Sequence, residues 1–202
     1  MPDRGEARSR PRISLILHKF SRGGSDRVAA YLANGFLAAG MDVELTVMCR
    51  GGEVESELVG LLDDIPINYL GCASGSRGWD LIRTLPSLVQ HLKARWPDAV
   101  ISTANNTAIA SALAVALARL KNTRLLLKTT NPIASSRHVG PAKMLRRWTY
   151  RMVFRRATAV WTLSPDESEE MRAAFPEFSS IFRDVYNPYV TPQMLAQPSE
   201  PT

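Results

Sequence analysis

The stretch "ISLILHKFSRGGSDRVAAYLANGFLAAGMDVELTVMC", residues 13–49, decides the fold. Ile13–Leu17 is an apolar run rich in β-formers, as expected of a strand covered on both faces. Val28, Leu32 and Phe36 then fall on one stripe of a helix, and Gly40 suits the left-handed residue that ends it. Asp42–Cys49 reads as a second buried strand. Between the first strand and the helix stand Gly23 and Gly24. Glycine there lets a phosphate approach the backbone closely, and the N–H groups of a helix start can bind it. The spacing meets neither the three-glycine dinucleotide fingerprint nor the P-loop pattern with its Lys-Ser/Thr. A tight turn with Ser25 capping the helix is the alternative, and on spacing alone the two stand level.

Outward from this unit, helix and strand keep alternating. Glu53–Leu62 is a short helical piece and Pro66–Gly71 a third strand. Trp79–Arg95 is a helix with Leu81, Leu85, Leu88 and Leu92 on one side. "DAVIS" (98–102) is strand four, Thr107–Leu120 a mostly buried helix, and "TRLLLKT" (123–129) strand five. Pro141–Ala157 is a basic helix and "TAVWTLS" (158–164) strand six. Ser164 is placed to cap the next helix, with Pro165 at its first position and acids in its first turn. "IFRDVY" (181–186) is a candidate last strand. The pattern predicts an α/β fold: a Rossmann-like, doubly wound, mostly parallel sheet with helices on both faces. One domain is expected over residues 13–188, between a polar tail (1–12) and a proline-rich linker (189–202).

Net charge is +6, unevenly spread. No acidic residue lies between Asp98 and Asp166, an interval holding Arg119, Lys121, Arg124, Lys128, Arg137, Lys143, Arg146, Arg147, Arg151, Arg155 and Arg156. That asymmetry favours an anionic partner. Sparse aromatic interleaving and the lack of an RNA-binding signature speak against nucleic acid. Cys49 and Cys72 match no metal or redox spacing and read as free thiols of a reducing cytosol; no metal site is expected. No apolar run reaches membrane-spanning length. A nicotinamide enzyme would need the full glycine turn and an acidic end to strand two, where Met48-Cys49-Arg50 stands instead.

"GGSDRVAAYLANGFLAAGMDVELTV" resembles the Gly-Gly-x-Glu-Arg-Val segment of family-4 glycosyltransferases, enzymes of the GT-B architecture. "RWPDAVIST", "RRATAVWTLSPDESEEM" and "VYNP" resemble three further motifs of the family, in the same order. The resemblance covers residues 13–190 and implies the N-terminal, acceptor-side half of a GT-B enzyme. It also implies a retaining transfer from a nucleotide-sugar substrate to an acceptor hydroxyl, with no resident cofactor. In the family a C-terminal half binds the nucleotide-sugar, and its paired glutamates have no counterpart in these residues, so the chain alone is expected to be silent or nearly so. Gly23 and Gly24 would face the donor diphosphate. Asp26 stands where the family has glutamate, and Thr130-Asn131 where many relatives carry a histidine. No catalytic residue can be assigned.

At the carboxyl edge of the strands, His18, Asn105, Asn106, Thr107, Thr130 and Asn131 are candidate acceptor ligands; for the asparagines and threonines the alternative is helix capping or turn formation. His138 lies in a basic loop and His91 reads as a helix-surface residue. In the basic helix, Leu145, Trp148, Met152 and Val153 form a stripe expected to pack on the core. Lys143, Arg146, Arg147, Arg151 and Arg155 crowd the other side and form a candidate patch for an anionic membrane surface, which would place the protein in the cytoplasm or at the inner membrane face. The rival reading is a non-catalytic Rossmann-like module binding an anionic ligand or a membrane.

Overall fold

In the computed structural model, residues 10–62, 64–130 and 141–187 are described. Seven strands form one sheet: β1 (Arg12–Leu17), β2 (Asp42–Val47), β3 (Ile67–Tyr69), β4 (Ala99–Ser102), β5 (Arg124–Lys128), β6 (Ala159–Thr162) and β7 (Phe182–Asp184). Their order is β3-β2-β1-β4-β5-β6-β7, and every neighbouring pair is parallel. Six helices connect them: α1 (Gly24–Ala38), α2 (Glu55–Val59), α3 (Arg77–Arg95), α4 (Asn105–Leu117), α5 (Pro141–Phe154) and α6 (Pro165–Ala174). A 3-10 turn, Pro176–Ile181, leads into β7. The tail before residue 10 and the expected linker from residue 189 lie outside the described residues.

Both faces of the sheet are covered. Leu15 and Leu17 of β1 pack with Ala29, Ala30 and Ala33 of α1 and Leu58 of α2, while Ile16 points to the opposite core with Ala114 of α4 and Leu88 and Leu92 of α3. This alternation, buried either way, is why the strand reads as a nearly unbroken apolar run. α1 ends as its sequence predicts: Gly40 takes φ +80°, its N–H bonds Leu37, and the N–H of Met41 bonds Phe36, a Schellman motif. At α6, the Ser164 side chain accepts from the N–H of Glu167, and the Glu167 carboxylate reaches back to the N–H of Leu163.

Two expectations are corrected. The stripe assigned to the core in α5 faces outward: Leu145 is 64% exposed, Trp148 59% and Met152 44%, with only Val153 buried. The core side is Tyr150, Val153 and Phe154, because Phe154 stands 5.1–5.8 Å from the rings of Phe175, Phe178 and Phe182. His91 is not surface filler. Its Nε2 lies 2.9 Å from Oε1 of Glu44, a buried carboxylate in the middle of β2 that also accepts from Ser14 and Asn68.

The loop after β1 is held by close backbone contact: a Cβ at Gly52 would overlap the carbonyl of Phe20. Gly52→Ala is therefore expected to cost on the order of 3 kcal/mol in urea unfolding. Gly35→Ala, in the exposed interior of α1 where a Cβ meets nothing, is expected to gain about 0.5–1 kcal/mol. Equal stabilities for the two variants would contradict this packing.

Candidate functional site

In a parallel sheet all carboxyl ends share one edge, and neighbours of a central strand that leave for opposite faces open a crevice there. Here the crevice lies between β1 and β4, since α1 follows β1 on one face and α4 follows β4 on the other. A cavity of about 1040 Å³ occupies it, lined by His18, Lys19, Ser21, Gly23, Gly24, Asp26, Asn105, Asn106, Lys128, Thr130, Arg146, Tyr150 and Asn187 among others.

The glycine pair forms its wall. Gly23 is the N-cap of α1 at φ −70° and ψ 142°, a conformation open to any residue, and no side chain caps the helix. Ser25 thus does not play the capping role weighed above; its hydroxyl lies 3.4 Å from the Asp26 carboxylate. A Cβ on Gly23 would meet only Ser25 and Ser21 hydroxyls at 3.5 and 3.6 Å, ordinary contacts. Neither backbone strain nor internal crowding requires glycine at this position.

Asp26 holds the turn from within, accepting from the N–H and hydroxyl of Ser21 at 2.8 and 2.7 Å. Burial raises its pKa above the usual carboxylate range, against the lowering pull of the Ser21 bonds. Across the crevice Asn105 accepts from the N–H of Thr130 at 3.1 Å, tying the ends of β4 and β5 together. The amide oxygen of Asn106 is buried and has no hydrogen-bond partner among the described residues. Thr107 is fully buried, its hydroxyl bonded to Ser102 and the Ala104 carbonyl, and it does not line the cavity. Asn131 and His138 lie outside the described residues, as does the side chain of Lys143.

His18 lines the cavity with Nε2 3.4 Å from Asp80, whose other oxygen accepts from the N–H and hydroxyl of Ser74. The Ser74 hydroxyl, chiefly, holds the Asp80 carboxyl below the usual range. Cys49 completes the cluster, its ligand atom and those of His18 and Asp80 lying within 4.8 Å of one another. Burial, with Asp80 beside it, pushes the thiol up to about 11 and keeps it protonated at neutral pH. Cys72 is exposed.

The basic patch divides. Arg146 lines the cavity and stacks over Tyr150. Arg147 bonds the Ala174 carbonyl, and Arg151 pairs with Glu177 at 2.6 Å, a counter-charge 26 residues distant in sequence. Arg155 is exposed beside Met152. The sequence reading missed Lys128: it ends the apolar strand β5, is 4% exposed and lines the cavity. A lysine closing the run "RLLL" was its visible signal.

These features define a Rossmann-like α/β domain with a crevice at the strand switch. The chain belongs to the glycosyl transferase 4-like family, whose model matches residues 23–181. No curated protein matches it. Among solved structures, the chain resembles HepE of Anabaena, crystallised with UDP and glucose (TM-score 0.64, 17% identity, 91% of this chain and 47% of that one). It also resembles the lipopolysaccharide outer core galactosyltransferase WaaB in its apo form (0.62, 18%, 88% and 46%). A third is UDP-GlcNAc 2-epimerase of Methanocaldococcus jannaschii in complex with UDP-GlcNAc and UDP (0.64, 16%, 87% and 46%). The chain thus spans about half the length of the structures it matches. No described helix is long and apolar enough to cross a membrane.

Asp26 in the crevice and Asp80 behind His18 have pKa values shifted in opposite directions. Asp26 has a raised folded-state pKa, so its charge opposes folding above that value. Asp26→Asn is expected to raise Tm near pH 7, and the gain should vanish as pH falls through the raised pKa. Asp80 has a lowered pKa and stabilises the fold above the unfolded value near 3.9. Asp80→Asn should lower Tm near pH 7, with the deficit closing as pH drops through the folded-state pKa. Melting curves between about pH 3 and 8 check both; slopes of the same sign would refute the assignment.

Proposed function

We propose that this chain is the acceptor-binding half of a nucleotide-sugar-dependent, retaining glycosyltransferase that moves a glycosyl group to an acceptor hydroxyl. The observation that carries the reading is the uncapped start of α1 on the wall of the crevice. Gly23 has an ordinary conformation and room for a Cβ, so its bareness serves an approach from outside the fold rather than packing within it. Unsatisfied N–H groups at a helix start, with the dipole behind them, suit a diphosphate. His18, Asn105, Asn106 and Thr130 then offer hydrogen-bonding groups for acceptor hydroxyls. UDP in HepE and in the 2-epimerase makes a uridine-diphosphate sugar the first donor to try.

The donor-binding half is supplied outside these 202 residues, in keeping with the share of each solved structure that the chain spans. On this reading the 202 residues alone turn over no donor, and transfer appears when a donor-binding half is provided. Gly23→Ser is the sharpest test. A serine can cap α1, so stability should hold or rise by a few tenths of a kcal/mol, while its side chain intrudes on the diphosphate and kcat/KM falls about tenfold or more. Unchanged transfer by Gly23→Ser would remove the role assigned to the glycine pair.

A second feature favours work at a membrane surface. Met144, Leu145, Trp148 and Met152 are exposed on α5 beside Arg147 and Arg155, an apolar strip edged by cations, with Arg151 paired to Glu177. Such a helix suits the interface of an anionic bilayer, where each cation contributes about 1 kcal/mol. Co-sedimentation with phosphatidylglycerol vesicles, but not with phosphatidylcholine vesicles, is expected, and Trp148→Glu should reduce it severalfold. Binding indifferent to lipid charge would dismiss the patch.

A further inference from the structure

The floor of the crevice narrows the acceptor's chemistry, on the reading just given. Lys128 is 96% buried by its 4% exposure, and its Nζ has no hydrogen-bond partner among the described residues. A buried ammonium without partners is among the costlier groups a fold can keep. Glu167 acts on it through its charge without forming an ion pair; one oxygen of Glu167 is bound to Thr129 and Leu163, and the other is buried without a hydrogen-bond partner among the described residues. Among the described residues lining the cavity, Lys19, Lys128 and Arg146 are cationic, with His18 beside them, and Asp26 is the one carboxylate. Burial pulls the pKa of Lys128 down, with Glu167 opposing, which an arriving anion would reverse.

Two other lining groups are left in the same condition. The side-chain amide oxygens of Asn106 and Asn187 are buried and have no hydrogen-bond partner among the described residues. Beside Lys19 and Arg146, the cavity therefore presents a buried, unpaired ammonium and two amide oxygens, the complement of a ligand carrying an anionic oxygen together with hydroxyls. Lys128 ends β5, two strands from β1 and hence about 10 Å across the sheet from the edge that carries the glycine turn. A diphosphate at the turn leaves that position free for a second, separate anion.

We propose that the acceptor is a phosphate ester with free hydroxyls, a phosphorylated sugar or polyol, whose phosphate is bound by Lys128 while Asn106 and Asn187 accept from its hydroxyls. The ester can come as a soluble sugar phosphate or as a phospholipid headgroup. Both present the same chemistry to Lys128.

The test measures binding to the 202-residue chain without any donor, so it stands or falls separately from transfer. Calorimetric titration at constant ionic strength uses inorganic phosphate, glucose 1-phosphate, monomeric dihexanoyl phosphatidylglycerol, and glucose as the neutral control. Wild type and K121M, altered at an exposed lysine, are expected to bind at least one of the phosphate compounds saturably and glucose at least tenfold more weakly. K128M should lose about tenfold or more of that affinity, keep its circular dichroism, and melt higher without ligand because a dry charge has been removed. K128Q repeats the measurement with a polar neutral side chain and should show the same loss. Affinity for glucose 1-phosphate marks a soluble acceptor, and affinity confined to the lipid ester marks a headgroup; either upholds the site. Equal affinity in wild type, K128M and K128Q, or no saturable phosphate binding by wild type, overturns it.

Discussion

β1 hydrogen-bonds in parallel register on both sides, Leu15 standing opposite Leu45 of β2 and Ile101 of β4. Everything functional in the molecule depends on that double pairing. It sends every connection over the top of the sheet and puts the starts of α1 and α4 on opposite faces. The crevice between them is a consequence of connectivity, before any side chain is chosen. Side chains then tune it: Asp26 braces the glycine turn, Asn105 ties β4 to the backbone after β5, and α5 closes one side with Tyr150 and Arg146.

The same crevice concentrates groups held at a cost to the fold. Asp26 is held with its charge disfavoured, Lys128 sits dry, and Asn106 and Asn187 are left with unmet amide oxygens. Glu44 shows the opposite arrangement, a buried carboxylate that is fully answered. Glu44 lies deep in β2, yet it receives Ser14, Asn68 and His91, with Arg95 at 3.4 Å. Desolvation alone would raise its pKa, but those partners outweigh it and leave it lowered. The contrast separates a polar group that builds structure from one kept for something that comes and goes.

The layout was legible in the sequence where one residue's surroundings follow from its neighbours in the chain. Strands buried on both faces write themselves as apolar runs, Gly40 and Ser164 mark helix ends through local geometry, and the order of elements implies the sheet. What failed depended on distant partners. The periodicity of α5 reveals two faces but not which one meets the core; that is decided by Phe175, Phe178 and Phe182, more than twenty residues on from Phe154. Glu177 reaching Arg151, and Glu44 reaching His91, are equally silent in the sequence. His18, Asn105, Asn106 and Thr130 line the crevice because each follows the end of a strand, whereas the Thr107 side chain turns inward to its own helix start. Lys128 was overlooked because a charge ending an apolar strand looks like a boundary until the strand is seen to lie between β4 and β6.

The two thiols differ in a way that bears on how this molecule can be watched. Cys49 is sealed in with a protonated sulfur, while Cys72 is open to solvent and paired by a backbone bridge to Arg50 beyond the ends of β2 and β3. One maleimide dye would therefore attach at one known point, beyond the carboxyl ends of β2 and β3. Its emission would report, molecule by molecule, on changes at that end of the sheet.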